Sequence, residues 1–424
     1  MNELKTRAET KLIIHGWVVL IGASMFFMYN MMQMTLFNTL GTYFASKFHI
    51  NSPVVLGYFS ASYLYACILF LFIAGALIDK ISVKKVLIAV TVISTFCNIG
   101  LICSDNLMLA FFMRSFMGIT SAFALMPCVK LAPVWLPEKQ IGAAMGMCIT
   151  IGMCGGLLVQ APAESLLNLF GGQWVLVINF FIGLIVLILT VLLVKDRPKN
   201  CLWKKPGNAV QQPFLKRLIK VVSNRQNWLS GIYIGLMNLP IMLLGALWGV
   251  RYLVKVHQQT ASSAASITSM IFLGAVFGMI FFGWFSDIIR SRKLPMIFGA
   301  VAAIVIVLEI MFLPSEYVQF LYLLFFLLGF ITSSQVVGYP LITESNSFEL
   351  LGTASALTSI LILSCASIFQ PLFGWMLEQF SSHAESVGDY SAGSYQYAMV
   401  SLPVCFFVAL ILALILRETA KKTG

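Results

Sequence analysis

The chain has 424 residues, of which 59% are hydrophobic and 10% charged, with a mean hydropathy of +0.92 and a formal net charge of +11. A soluble protein carries roughly 25% charged residues, so a water-facing surface cannot be built from this composition and lipid is the natural solvent for most of it. The +11 would point to nucleic acid in a soluble chain; here it has first to be set against the Lys and Arg that gather on the cytoplasmic loops of membrane proteins.

The N-terminus reads MNELKTRAETKLIIHGWVVL, a charged start followed by an apolar run from Ile13 to about Tyr43. A signal peptide has an apolar core of only about 7–15 residues, so this run is expected to be an uncleaved first span. A spanning helix needs about 20 mostly apolar residues. Twelve segments qualify: 14–43, 53–78, 84–104, 107–131, 141–165, 173–194, 228–255, 261–285, 295–313, 317–342, 352–377 and 395–416. Polar residues interrupt the first, seventh and tenth, and Pro240 should perturb the seventh. Backbone groups in lipid must be satisfied within the segment, so an all-α membrane protein is expected; the short alternating strands of a barrel are absent from the pattern.

The longest polar interruption, residues 195–227, divides the chain into an N-terminal half (1–194) and a C-terminal half (228–424) of six spans each. Pro198, Pro206 and Pro213 argue for a loop at its start. Its later part, FLKRLIKVVS, puts Phe214, Leu218 and Val222 on one helical face and Lys216, Arg217 and Lys220 over much of the rest. This pattern fits a short helix lying in the membrane interface, or a plain extension of the seventh span. Basic residues place both termini and the linker on one side, and by the positive-inside rule that side is the cytoplasm. The +11 is thereby accounted for without nucleic acid. Of nine cysteines, eight fall in apolar segments and none forms CxxC, so neither disulfides nor a metal site is expected.

Two loops repeat. Residues 75–85 read GALIDKISVKK and residues 283–293 read GWFSDIIRSRK; Gly75 and Gly283, Asp79 and Asp287, Lys84 and Arg292, and Lys85 and Lys293 are each 208 positions apart. In the fifth and eleventh spans Gly142, Ala144 and Gln160 pair with Gly352, Ala354 and Gln370 at an offset of 210. Two homologous halves follow, related by an axis along the membrane normal. The small Gly75 suits close helix packing, and Asp79 suits a helix N-terminus or basic groups of another span. Such contacts form only when the cytoplasmic helix ends are together. A coupling of about 1–3 kcal/mol there shifts a two-state equilibrium roughly 5–150-fold. The expectation is therefore a pair of gates, against the plainer reading of topology-setting charges.

With these features the sequence resembles the major facilitator superfamily over essentially its whole length. The loop signature of that family falls on Gly75, Asp79, Lys80, Ser82, Lys84 and Lys85, with Ser82 where the family has Gly. In the second copy Arg290 stands at that place and Ile288 replaces the first basic residue. Arg114 and Gly118 look like the family's Arg-x-x-x-Gly element, while TIGMCGGLLVQAP in the fifth span lacks the Gly-Pro pair of drug/proton antiporters. The resemblance implies twelve transmembrane helices in two pseudo-symmetric six-helix halves, with spans 1, 4, 7 and 10 lining a central cavity.

Polar and ionisable groups inside spans are costly and are functional suspects. Arg114 lies roughly 10 Å in from the outer end of the fourth span by helical rise, and suits a carboxylate, a phosphate or a proton relay, or else structural carbonyls. Asn30, Gln33, Tyr63, Asn238, Trp248, Gln335 and Tyr339 complete the candidate substrate site, with Glu164 as a coupling carboxylate. No GxxxxGK[ST] occurs, and no catalytic set or cofactor site is apparent, so an enzyme is not expected. The expected function is secondary transport of a small polar or anionic solute, an amino acid or other organic metabolite, by alternating access and proton-coupled uptake. Efflux of an amphipathic siderophore or drug is the competing reading, and a non-transporting receptor or scaffold the third. The expected partners are the small-molecule substrate, protons and the lipid bilayer, for a monomer in a bacterial inner membrane.

Overall fold

A computed structural model describes residues 2–197, 214–314, 317, 319–347, 350–380 and 390–419, without the side chains of 2–10, 72, 76, 79, 80, 138, 139, 142, 143, 214 and 215. Among the described residues, twelve helices are long and apolar enough to cross a membrane: Lys11–Lys47, Pro53–Leu71, Val83–Cys103, Leu107–Trp135, Ala144–Phe170, Gly172–Leu193, Arg225–Val256, Ala261–Ile288, Lys293–Phe312, Phe320–Glu344, Leu351–Gln379 and Ala392–Ile415. These are the first to twelfth spans below. The first span begins and the twelfth ends on one face of the bundle, the termini face, and the opposite side is the far face.

Where the spans break, the cause is local. Pro240 has no N–H to give and its ring crowds the preceding turn, and from it runs a π-helix, Pro240–Trp248. The tenth span narrows to a 3₁₀ turn at Ser333–Val337, just ahead of Pro340. The fourth span also breaks, between Ser121 and Met126, where Pro127 starts a new helix; the hydropathy pattern alone had shown this span as continuous. The first span, although polar residues interrupt it, is one helix through Lys47.

The linker's later part is a separate helix, Phe214–Ser223. Asn224 is extended (φ −83°, ψ 106°) and its side chain accepts from the Gln226 N–H, starting the seventh span afresh. This helix is therefore no extension of that span. Val221 is its buried contact, while Ile219 and Val222 are exposed. Residues 198–213, where the prolines stand, lie outside the described residues.

Burial shows how the spans are arranged. In the most apolar stretch of the seventh span 89% is buried, against 33% in the sixth, so the seventh runs through the middle and the sixth borders lipid. One apolar core joins the far-face part of the first six spans to the last six. A second core, from Val19 to Val194, belongs to the termini-face end of the first six spans. The contacts between the halves gather at the far face and the midplane. There a side chain at Gly57 would meet the Pro371 backbone, and one at Gly374 would meet Pro53. At the termini face, by contrast, Gly146, Gly283 and Gly352 have open space where a side chain would stand. The bundle is thus sealed at the far face and parted at the termini face.

Candidate functional site

The seal is built on the π-helix. A π segment turns its carbonyls out of ordinary register, and two side chains from other spans meet them. Asn38 of the first span donates to the Leu244 carbonyl (3.0 Å) and to Gln160 Oε1 (3.1 Å), and accepts from the Val250 N–H (3.3 Å). Gln370 of the eleventh span donates to the Met242 carbonyl (2.8 Å), while its own carbonyl accepts from Trp248 Nε1 (3.1 Å). Of the repeat partners, Gln370 thus meets the seventh span directly and Gln160, from the other half, through Asn38. Trp248 is wholly buried, stacked on Phe373 at 5.4 Å. Ser52 with Glu378, and Tyr65 with the Ser367 carbonyl (2.8 Å), complete the polar contacts between halves described here.

Arg251 lies within this seal, a second arginine buried inside a span beside Arg114, although its place near the end of the seventh span gave no sign of it. It is 7% exposed. Its guanidinium sits 5.6 Å from the Trp248 ring, and its Nη1 makes a long bond (3.4 Å) to the Leu247 carbonyl one turn back. Nη2 has no partner. The group lies flat against Gly41, where a Cβ would stand 2.0 Å from Nη2. Any side chain at position 41 would therefore displace the arginine or part the halves.

Arg114 lies inside the first half. It is 4% exposed, with Nη1 donating to the Gln33 carbonyl (3.0 Å) and Nε unpartnered. The guanidinium is sandwiched between the Phe37 and Tyr63 rings at 4.7 and 4.8 Å, a cation–π arrangement that offsets part of its desolvation. Gly118, one turn on, lets the Tyr63 backbone approach, since a Cβ there would be 2.1 Å from its carbonyl. Beside the guanidinium is a void of about 10 Å³ lined by Gln33, Asn98, Arg114 and Asn179 among apolar residues, room for about one water.

Amides and hydroxyls from spans 1, 2, 3, 4 and 6 knit this region. Asn30 Oδ1 accepts from Tyr63 (2.8 Å) and Ser121 (3.1 Å). Ser94 donates to Gln33 Oε1 at 2.7 Å. Asn179 donates to Asn98 (2.9 Å), which donates to the Tyr29 hydroxyl (3.0 Å). Ser94, Asn98 and Asn179 were not singled out from the sequence. Their spacing, one apolar helical turn or more from any charge, gave no sign that they meet Arg114's neighbours.

In the second half Gln335 donates to Asn238 Oδ1 at 3.2 Å, joining the seventh and tenth spans at their breaks. Tyr339 is 42% exposed. Glu164 is 3% exposed and accepts a long bond from Asn168, at 3.5 Å. No ion pair joins Glu164 to Arg114 among the described residues.

The two repeated loops form alike devices, each within its own half. Ser82 caps the third span and donates to Asp196, whose other oxygen accepts the Lys84 N–H at 2.9 Å. In the second copy Ser291 donates to Glu418 Oε2 (2.6 Å), and the N–H groups of Arg292 and Lys293 donate to the same carboxylate at 2.9 and 3.2 Å. An acid just past the last span of each half thus neutralises the start of that half's third helix, where a carboxylate meets free N–H groups and the positive end of the dipole. Asp196 and Glu418 were missed because they sit over 100 residues from the loops they serve. The lysines cap too: Lys84 reaches the Val191 carbonyl at 2.6 Å and Lys293 the Leu414 carbonyl at 2.9 Å.

The copies then diverge. Arg292 pairs with Asp287 (2.7 Å) and Glu344 (2.8 Å). Burial opposes its charge, but hydrogen bonds to those two carboxylates win and raise its pKa. Arg290 adopts φ +48°, the left-handed turn for which the family pattern keeps a Gly, whereas Ser82 turns at φ −55° and needs none. The side chains of Asp79 and Lys80 lie outside the described residues, and Lys85 contributes its N–H to Ser82 at 3.3 Å. A Cβ at Gly75 would meet only Met126, at 4.0 Å, and one at Gly283 nothing. With the termini face parted, neither glycine makes the close helix approach expected of it.

A family model described as Major Facilitator Superfamily matches residues 21–371. The "Probable galactarate/D-glucarate transporter GarP" of Escherichia coli is 23% identical over 380 residues, which is 81% of this chain and 84% of that protein. An uncharacterized protein of Campylobacter jejuni is 33% identical over 138 residues, 32% of this chain and 39% of its own. Among solved structures, a bacterial homolog of the human lysosomal transporter Spinster, inward-facing and unoccupied, superposes with a TM-score of 0.76 at 15% identity, covering 95% of this chain and 97% of that one. Its occupied inward-facing form gives a TM-score of 0.74 at 15% identity, covering 94% and 96%. These two establish likeness of fold.

Proposed function

Because the chain belongs to the Major Facilitator Superfamily, we propose that it takes up a small organic anion, a hydroxylated carboxylate in the first instance, by alternating access coupled to protons. That it is a multi-pass membrane protein that moves solutes is the premise. The observation that carries the finer reading is the pair of buried guanidinium groups, Arg114 and Arg251, neither of which has a carboxylate partner among the described residues. A buried cation left unpaired is expensive, and a negatively charged cargo is the partner that would relieve it. The amides of Asn30, Gln33, Asn238 and Gln335 and the hydroxyls of Tyr63 and Tyr339 suit the hydroxyls of such a cargo, and the sugar diacids named for the E. coli relative are the first compounds to test.

In this reading the termini face is cytoplasmic, by the basic loops, and the membrane is a bacterial inner membrane. The geometry then corresponds to a state open to the cytoplasm. Opening outward requires Asn38 to release the π-helix carbonyl and Arg251 to leave Gly41, which exposes the arginine to incoming anion. Glu164, the buried carboxylate in a span among the described residues, is the proton carrier we assign. Parting of the two repeated loops from whatever they meet across the halves is the matching event on the cytoplasmic side, with Asp79 as its acid.

The test is uptake of labelled galactarate, D-glucarate and simpler hydroxy acids and amino acids into proteoliposomes, with and without an inward proton gradient. Gradient-driven accumulation of a carboxylate that is nearly abolished in Arg114→Ala and reduced in Arg251→Met is the expected result. Extrusion of a hydrophobic dye with no accumulation of any carboxylate would sink the uptake reading in favour of efflux.

A further inference from the structure

Away from the substrate path, a cavity of about 170 Å³ opens at the termini face between the start of the seventh span and the end of the twelfth. Its lining is Asn224, Arg225, Gln226, Leu229, Ile415 and Arg417. Neither arginine side chain makes a hydrogen bond or ion pair among the described residues; Arg417 contributes only its backbone N–H, to Gln226 at 3.3 Å. The neighbouring acid, Glu418, is turned away to cap the ninth span. Arg225 stands in the first turn of its helix, where a cation is unfavourable against the dipole unless an anion lies beside it.

The surroundings of the cavity carry a second signal. Ile415, Leu414, Trp228, Ile219 and Val222 are all exposed, at 47%, 55%, 38%, 57% and 41%. Ile415 lines the cavity beside the arginines; Leu414 and Trp228 stand three residues from Arg417 and Arg225 at the ends of the two spans, and Ile219 and Val222 lie on the separate helix Phe214–Ser223, which is the depth of lipid headgroups. The Trp228 indole sits there with its N–H bonded to the Val222 carbonyl at 2.8 Å, the amphipathic placement typical of interfacial tryptophan. Two unpaired guanidinium groups facing a cavity, flanked by exposed apolar side chains, match both parts of an amphiphile. A free phosphate would use the first part alone.

We propose that this cleft binds the phosphate headgroup of an anionic phospholipid, with acyl chains running along Ile415 and Trp228. Bound there, the headgroup ties the ends of the seventh and twelfth spans. Asn224, which also donates to the Ser345 carbonyl at 3.0 Å, brings in the end of the tenth. Glu418, one residue beyond Arg417, passes the constraint to the second repeated loop. The lipid therefore stabilises the termini-face end of the second half.

The test is native mass spectrometry and thermal unfolding of the full chain in detergent, titrated with dioleoyl phosphatidylglycerol, with dioleoyl phosphatidylcholine, and with inorganic phosphate. Wild type should retain phosphatidylglycerol and unfold at higher temperature in its presence, with no response to the other two. Each arginine contributes roughly fivefold to affinity, so Arg225→Gln with Arg417→Gln should weaken binding roughly 25-fold. The doubly Lys-substituted chain keeps the charge, guards against a folding artefact, and should bind nearly as wild type does. Equal phosphatidylglycerol binding by the Gln variant, or an equal response to inorganic phosphate, would overturn the proposal.

Discussion

The loop after the first span and the loop after the seventh are built alike and buried unlike. Lys47, His49 and Ser52 stand 208 positions before Lys255, His257 and Thr260. Ser52 caps its helix by accepting from Val55 N–H (3.3 Å), and Thr260 by accepting from Ser263 N–H (3.2 Å). Each loop turns through a left-handed residue, His49 in one and Gln258 in the other, both at φ 52°. Yet His49 is exposed while His257 is 3% exposed. Lys47 caps the third span through the Leu101 and Ile102 carbonyls (2.9 and 2.6 Å), while Lys255 is exposed. The repeat sets the local turn; the packing around each half decides whether the same residue is wet or dry.

The same contrast separates the two buried arginines, one enclosed in the first half and one on the seam between halves, and it gives the largest expected effect. Arg114→Ala should lower uptake on the order of 100-fold, the size of losing about 3 kcal/mol of charged hydrogen bonding. Arg251→Met should lower it less, about tenfold, by removing an anion contact and making the seal drier and harder to part. Initial-rate transport measurements rank them, and the reverse order would make the seam arginine the principal anion group.

Next comes the seal itself. Asn38→Ala removes bonds to Leu244, Val250 and Gln160, a loss of about 2 kcal/mol, and should shift the population toward far-face opening roughly 30-fold. Accessibility of a cysteine placed beside Gly41 to a membrane-impermeant reagent reports this. An unchanged labelling rate would mean that the apolar contacts alone hold the face closed.

His257 offers a pH comparison with His49. Burial lowers the His257 pKa from its ordinary 6.5, a shift that the Ile310 backbone partly opposes. Above that ordinary value the imidazole is neutral in both folded and unfolded chains, so stability does not depend on it. As pH falls below about 6.5, the unfolded chain takes a proton that the fold resists, and stability drops by up to about 1.4 kcal/mol per pH unit until the lower folded value is reached. His257→Gln should flatten that part of the thermal-stability curve in detergent, with His49→Gln as the exposed control.

The smallest effects belong to the loop caps. Asp196→Asn and Glu418→Gln each weaken a carboxylate cap and should cost about 1 kcal/mol. Arg292→Gln should exceed Lys84→Gln, because Arg292 holds two carboxylates and Lys84 a carbonyl. Unfolding midpoints in detergent would measure all four, and equality of the last two would show that the copies have not diverged in strength.

Much of the fold was legible in the chain itself. Twelve apolar stretches gave the spans to within a few residues, since hydropathy over about 20 residues is a local property. Pro240 announced the break in the seventh span because its missing N–H acts on the preceding turn. Pro127 carries the same stereochemistry, but it lay in an apolar run and its effect on the fourth span was overlooked. The candidate site was legible as a roster of polar residues and much less as a set of contacts. Asn30 and Tyr63 do meet, and so do Asn238 and Gln335; Trp248 instead lies in the seal, and Glu164 makes no ion pair with Arg114 among the described residues.

What the sequence by itself determined is the membrane solvent, the spans and the break at Pro240, which act over a turn or a span, together with the repeat that is written in the chain 208 positions apart. The tertiary structure alone decided that Arg251 and His257 are dry, that Asp196 and Glu418 cap distant helices, and that Asn38 crosses to the π-helix carbonyl of Leu244. Those partners lie roughly 100 to 200 residues apart, and their burial depends on how the halves meet, which no window along the chain contains.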